Sequence, residues 1–185
     1  MADRIEAARA IDAFLRAIGR DPEEEPDLKG TGERVAAAYL DDLCVGYTQN
    51  PAKILAQDAM PGKTEIVVAR ALPVATTCPH HLMQAWGEAT VAFAPKEKIV
   101  GIGAIARALD ACAHRLVLQE RIGEDLVAAI QNALGSQWAA CRISLEHGCM
   151  VARGERAHHA KVETIAVAGE GDRARIEAIL LGAAS

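Results

Sequence analysis

Two short stretches set thiols and imidazoles close together. Cys78-Pro79-His80-His81 sets a thiol and an imidazole three positions apart, and His147-Gly148-Cys149 repeats the pairing far along the chain. Zinc accepts thiolate and imidazole together, and three protein ligands leave a coordination position open, as catalytic rather than closed structural sites do. Zinc also brings the pKa of water down to about 7, so that hydroxide is available at neutral pH. Spacing alone leaves three readings open: a catalytic zinc on Cys78, His81 and Cys149, a structural zinc, or chance in a chain with 5 Cys and 6 His. Cysteine is also a small hydrophobe that is frequently buried. Cys44 and Cys112 fall on helical faces and Cys141 alternates within a strand, so all three are expected in the core. His158-His159 is a second imidazole pair, but adjacent strand residues point to opposite faces, which makes these two loop or strand-start residues.

The elements that must position these groups follow from hydrophobic periodicity. Residues 2–18 repeat apolar side chains at helical spacing, and the proline-bounded acidic run 21–27 reads as a solvated linker. Thr31 reads as the N-cap of a second helix that ends near Gly46-Tyr47. Strands are expected over 64–73, 88–94, 139–146 and 162–168, and helices over 105–116, 124–134 and 172–181. Strand pairs separated by a helix pair point to an α+β fold with an antiparallel sheet rather than a parallel βαβ sheet. The domain division read from this order is a helix and linker over 1–29 and one domain over 30–185.

Composition narrows the function classes. With 185 residues and 51% hydrophobic content the chain can bury a core, and with 3% aromatic content that core must be aliphatic. A net charge of −5 argues against bulk attraction to nucleic acid, and the scarcity of aromatic rings argues against stacking on single strands. No run approaches the roughly 18 apolar residues of a membrane span, and the N-terminus lacks a signal-peptide apolar block. The expected location is the cytoplasm, and an odd number of scattered cysteines makes a disulfide framework unexpected.

Several runs occur together in one order: Cys78-Pro-His-His-Leu, Gly87-Glu-Ala-Thr-Val-Ala-Phe, Lys98-Ile-Val-Gly-Ile-Gly, Arg107, Gln119-Glu120-Arg121, Glu146-His147-Gly-Cys149-Met150 and Arg153-Gly154. In that order and spacing, from about Gly30 to Gly169, the chain resembles the GTP cyclohydrolase I family. The resemblance implies a T-fold: an antiparallel sheet with helices packed on one face, here with an N-terminal helical extension. It implies a homo-oligomer, a toroidal decamer whose active sites lie between subunits. The implied reaction hydrolyses GTP at purine C8, releases formate and closes a pterin ring to give 7,8-dihydroneopterin triphosphate, an entry to pterin and tetrahydrofolate biosynthesis.

On the same basis Cys78, His81 and Cys149 hold Zn2+, while His80 and His147 move protons, a task suited to a side chain that titrates near the working pH. Glu120 reads the N1 and 2-amino donor edge of guanine, Gln119 joins it in binding substrate, and Arg34, Arg107 and Arg153 hold the triphosphate. Taken alone, Glu120 and each arginine would read as solvated surface charges.

The resemblance breaks at particular places. Where the family shows Gly-Leu-Ser-Lys, this chain has Gly101-Ile102-Gly103-Ala104, so the ribose-contacting serine and the phosphate-neutralising lysine are absent. In the last strand Ala160, Val162 and Thr164 retain a single hydroxyl; Thr31-Gly32 replaces Thr-Pro, and Pro79 replaces an acid. These changes spare the metal and guanine positions and fall on ribose and phosphate. Two other functions therefore stand beside GTP hydrolysis: a divergent cyclohydrolase for a purine derivative with fewer phosphates, and a non-catalytic zinc-binding paralogue.

Overall fold

The structure, a computed structural model, describes residues 2–183. Its elements are α1 (Arg4–Ala17), α2 (Thr31–Ala37), α3 (Pro51–Gln57), β1 (Ala59–Pro61), β2 (Val67–Thr77), β3 (Gln84–Ala94), β4 (Lys98–Val100), α4 (Ile102–Ala113), α5 (Gln119–Leu134), β5 (Trp138–His147), α6 (Gly148–Val151), β6 (Lys161–Gly169) and α7 (Arg173–Leu181). They gather into two compact units, one ending at Val45 and the other beginning at Gly46.

In the first unit Asp3 caps α1, its carboxylate accepting from the Ile5 and Glu6 amides at 3.0 Å each. Helix α2 crosses α1 closely at Gly32, whose amide donates to Asp12 Oδ1 at 3.2 Å. A Cβ on Gly32 would lie 2.4 Å from the Ala8 carbonyl oxygen, so the crossing requires glycine. The expected N-cap at Thr31 is corrected: Gly30, at φ +74°, holds that position, and Thr31 is the first helical residue. The Thr31 hydroxyl instead accepts from Arg34 Nη2 at 3.0 Å.

The second unit is built on a four-stranded sheet in the order β2-β3-β5-β6, antiparallel throughout. One face carries the main core. Val91, Phe93, Cys141, Ile143 and Leu145 of the sheet pack against Ile105 and Leu109 of α4 and Ile122, Leu126 and Ile130 of α5. Phe93 is its one aromatic ring, so the aliphatic core expected from composition is what forms. Each fully buried Leu or Ile there contributes on the order of 1.5–3 kcal/mol of transfer free energy. Helix α7, capped by Asp172, lays Ile176, Ile179 and Leu180 over Trp138 and Ala140 at one end of the opposite face. Cys112 and Cys141 are buried as expected, whereas Cys44 is half-buried.

The expected strand over 64–73 is corrected to Val67–Thr77. Its register slips between Ala69 and Leu72, where Ala71 takes φ +52°, and this bulge breaks the alternation that marks a strand. The added half carries β2 up to Cys78. Likewise α5 begins at Gln119 rather than near residue 124, because Leu118 provides no side-chain cap to announce it. Helix α3 is not among the elements expected from the sequence. Asn50 caps it by accepting from the Lys53 amide at 3.0 Å, Pro51 opens it, and Leu55 is fully buried in the core.

Candidate active site

Three segments remote in sequence converge at one end of the sheet. The first is the turn between β2 and β3, closed by the Cys78 amide donating to the Met83 carbonyl and the Leu82 amide to the Cys78 carbonyl, both at 2.9 Å. The second is the end of β5, where Ala85 of β3 pairs with His147. The third is the lead-in to α5, tied to the first by a bridge between Thr77 and Leu116. Between His147 and Cys149 the chain must pass close to β3. A Cβ on Gly148 would lie 2.7 Å from the Gln84 carbonyl oxygen, so a side chain there would push Cys149 away from the turn.

This convergence places one donor atom each from Cys78, His81 and Cys149 within 4.8 Å of one another. Cys78 Sγ lies 3.9 Å from His81 Nδ1. Two sulfurs and an imidazole nitrogen at that spacing suit a single tetrahedral zinc with one position left over. Burial and the facing Cys78 sulfur push the Cys149 thiol up, with Arg153 opposing. A dication between the two sulfurs would offset what holds the proton on Cys149. Cys112 and Cys141 differ in kind: burial pushes both thiols up to about 12, which makes them inert packing groups.

The three donors open onto a pocket of about 210 Å³ that is also lined by His80, His147, Glu120 and Gln119. His147 is half-buried, and desolvation lowers its pKa from the ordinary imidazole value while the Glu120 carboxylate pulls it back up. Its Nε2 lies 2.8 Å from Gln119 Oε1. Gln119 is 4% exposed. Its Nε2 donates towards the Ile143 carbonyl at 3.1 Å, the Val162 carbonyl at 2.9 Å and Thr164 Oγ1 at 3.2 Å. The one hydroxyl kept in the last strand is thus an anchor for Gln119. Glu120, next along α5, is exposed in the helix's first turn.

Sequence reasoning passed over Thr76. It is 2% exposed and lines the same pocket, and its hydroxyl has no hydrogen-bond partner among the described residues. Nothing in a strand threonine beside a second threonine signals this; only the pairing that turns it inward does.

The three arginines are absent from the lining of this pocket. Arg107 pairs with Asp58 and lines a separate cavity with Lys53 and Asp110. Arg153 is exposed after α6, and Arg34, in the N-terminal unit, donates to the Lys29 carbonyl at 2.9 Å. Ala104 is 1% exposed and belongs to the main core, and a Cβ on Gly103 would lie 3.2 Å from Arg107 Nη1. His158 and His159 are exposed in the turn before β6, as expected.

A family model described as GTP cyclohydrolase I matches residues 7–180. The chain is 36% identical over 162 residues to GTP cyclohydrolase 1 of Chlorobaculum tepidum, covering 87% of this chain and 71% of that one. It is 34% identical over 170 residues to proteins of the same name from Leifsonia xyli subsp. xyli and Carboxydothermus hydrogenoformans, covering 91% of this chain and 88% of each. Among solved structures, an apo archaeosine synthase QueF-Like superposes with a TM-score of 0.49 at 16% identity, over 60% of this chain and 100% of that one.

Proposed function

The chain belongs to the GTP cyclohydrolase I family, and from that premise we propose that it is a zinc-dependent hydrolase. It opens the imidazole ring of GTP at C8 and yields formate and 7,8-dihydroneopterin triphosphate. The observation that carries this reading is the clustering of Cys78, His81 and Cys149 donors within 4.8 Å, at a pocket shared with Glu120, His80 and His147.

Cys78, His81 and Cys149 would hold the zinc, which when bound makes water acidic enough to serve as a nucleophile near neutral pH. The chain's own side chains do the rest. Glu120 offers only acceptors, so it pairs with N1–H and the 2-amino group of guanine and finds no such pair on adenine. His147, whose pKa partial burial lowers from the ordinary imidazole value, can take a proton from the reacting ring or return one to it. His80, in the same turn as two metal donors, is the second proton carrier for the ring nitrogens and the ribose oxygen. Arg34, Arg107 and Arg153 are the phosphate-contacting residues by family position, suited to it by their planar donor forks.

Assembly and location belong to the same proposal. The family's decamer, with active sites between subunits, is supported by the long outer strands β2 and β6, whose outer edges pair with no other strand among the described residues. No described helix is long and apolar enough to cross a membrane, and we place the enzyme in the cytoplasm.

One observation favours a second reading. Where the family carries lysine, Ala104 is sealed in the core, and Arg107 is turned to Asp58. A substrate with fewer phosphates would lose less by this. Incubating the zinc-loaded chain with GTP, GMP and guanosine separates the two. Stoichiometric formate with kcat/KM highest for GTP is the expected result. Highest kcat/KM for GMP or guanosine establishes the second reading, and no formate from any of them overturns both.

A further inference from the structure

We propose that Gln119 is a positioning residue: it fixes which nitrogen of His147 carries the proton and touches no substrate itself. The orientation of its amide is settled by chemistry. Nε2 faces two backbone carbonyls, Ile143 at 3.1 Å and Val162 at 2.9 Å, which can only accept. Turning the amide over would set oxygen against both of them. Oε1 therefore faces His147 Nε2 at 2.8 Å, and an amide oxygen can only accept. His147 Nε2 must be the donor. In the neutral ring this leaves Nδ1 bare, as the one nitrogen able to accept a proton.

The anchoring is as rigid as the sheet. Ile143 pairs with Thr164 and Leu145 with Val162 across β5 and β6, so the three acceptors of Gln119 belong to two adjacent, hydrogen-bonded strands. Both N–H donors of the amide are spent there, and the side chain is 4% exposed. A substrate-binding amide would keep its donors for the ligand. The opposite tautomer of His147 would present a bare Nε2 to an amide oxygen and would lose this bond. Gln119 thus acts through His147, as a second group that selects the working form of an imidazole.

The activity arm of the test rests on the proposed GTP reaction; the spectroscopic arm does not. In the zinc-loaded protein labelled with 15N-histidine, at a pH where free imidazoles are neutral, His147 is expected with a protonated Nε2 and a bare Nδ1, its signals assigned by their loss in His147→Asn. A bare Nε2 overturns the proposal. In turnover, Gln119→Met, which keeps the volume but removes the acceptor, is expected to lower kcat for GTP by about 10- to 100-fold while KM changes less than about twofold. A raised KM at unchanged kcat would make Gln119 a substrate ligand and overturn the proposal, as would no change in either constant. Should the wild-type protein not act on GTP, that failure belongs to the substrate reading, and the tautomer of His147 still decides this one. The same holds if Gln119→Met does not fold.

Discussion

Cys149→Ala is expected to abolish stoichiometric zinc binding and to lower kcat by about 10³-fold or more, while the variant keeps its secondary structure and the thermal midpoint of the metal-free wild-type chain. The size follows from what the sulfur supports. A Lewis-acidic metal contributes several kcal/mol to stabilising charge in the transition state, and each 1.36 kcal/mol is tenfold in rate. The lack of structural damage follows from position. Cys149 lies on the four-residue α6 and is no part of either hydrophobic cluster. Replacing it opens no core cavity, in contrast to Cys141, which is fully buried in the main core. Metal analysis alongside steady-state turnover checks the prediction. Full zinc content with unimpaired turnover in Cys149→Ala would remove this residue from the metal set.

The second large effect is expected for Glu120→Gln. Guanine presents two N–H donors on its N1 and 2-amino edge, and a carboxylate accepts both. The glutamine amide accepts one and sets its own N–H against the other. Losing a charge-assisted bond and leaving a donor unpaired each cost about 1.5–3 kcal/mol, which together correspond to about 10²- to 10⁴-fold in kcat/KM for GTP. The helix itself should barely notice, since an acid in the first turn of α5 is worth about 0.3–1 kcal/mol. Kinetics with GTP and thermal denaturation of the same variant test both halves. An unchanged kcat/KM would mean that Glu120 is only a solvated charge at a helix start.

Much of this site was readable before any coordinates, for a physical reason. Metal and proton-transfer chemistry needs particular side chains, and Cys78, His81, His147 and Cys149 carry their chemistry in their identity. The antiparallel α+β architecture was equally legible, because Cys141, Ile143 and Leu145 of β5 alternate with Arg142, Ser144 and Glu146, and α4 repeats at helical spacing. What stayed hidden depends on backbone geometry or on partners. The bulge near Ala71 masked the second half of β2, and a first turn without a capping side chain hid the start of α5. The seven-residue α3 is too short for its period to show, though Asn50-Pro51 marks its start. The resemblance gives Gln119, beside Glu120, as a substrate-binding residue. Only the three acceptors around its amide show where its hydrogen bonds go. Thr76 and Ala104 are further cases, since the burial of a small side chain cannot be read from its type.

The central claim is that two sulfurs and one imidazole from distant parts of this chain hold a single metal with a position to spare. X-ray absorption at the zinc edge of the native, full-length protein tests it most directly. One zinc per chain, with two sulfur ligands and the remaining positions filled by nitrogen or oxygen, is the predicted result. A zinc shell of four sulfurs, a shell with none, or a preparation in which added zinc never reaches one per chain would contradict it.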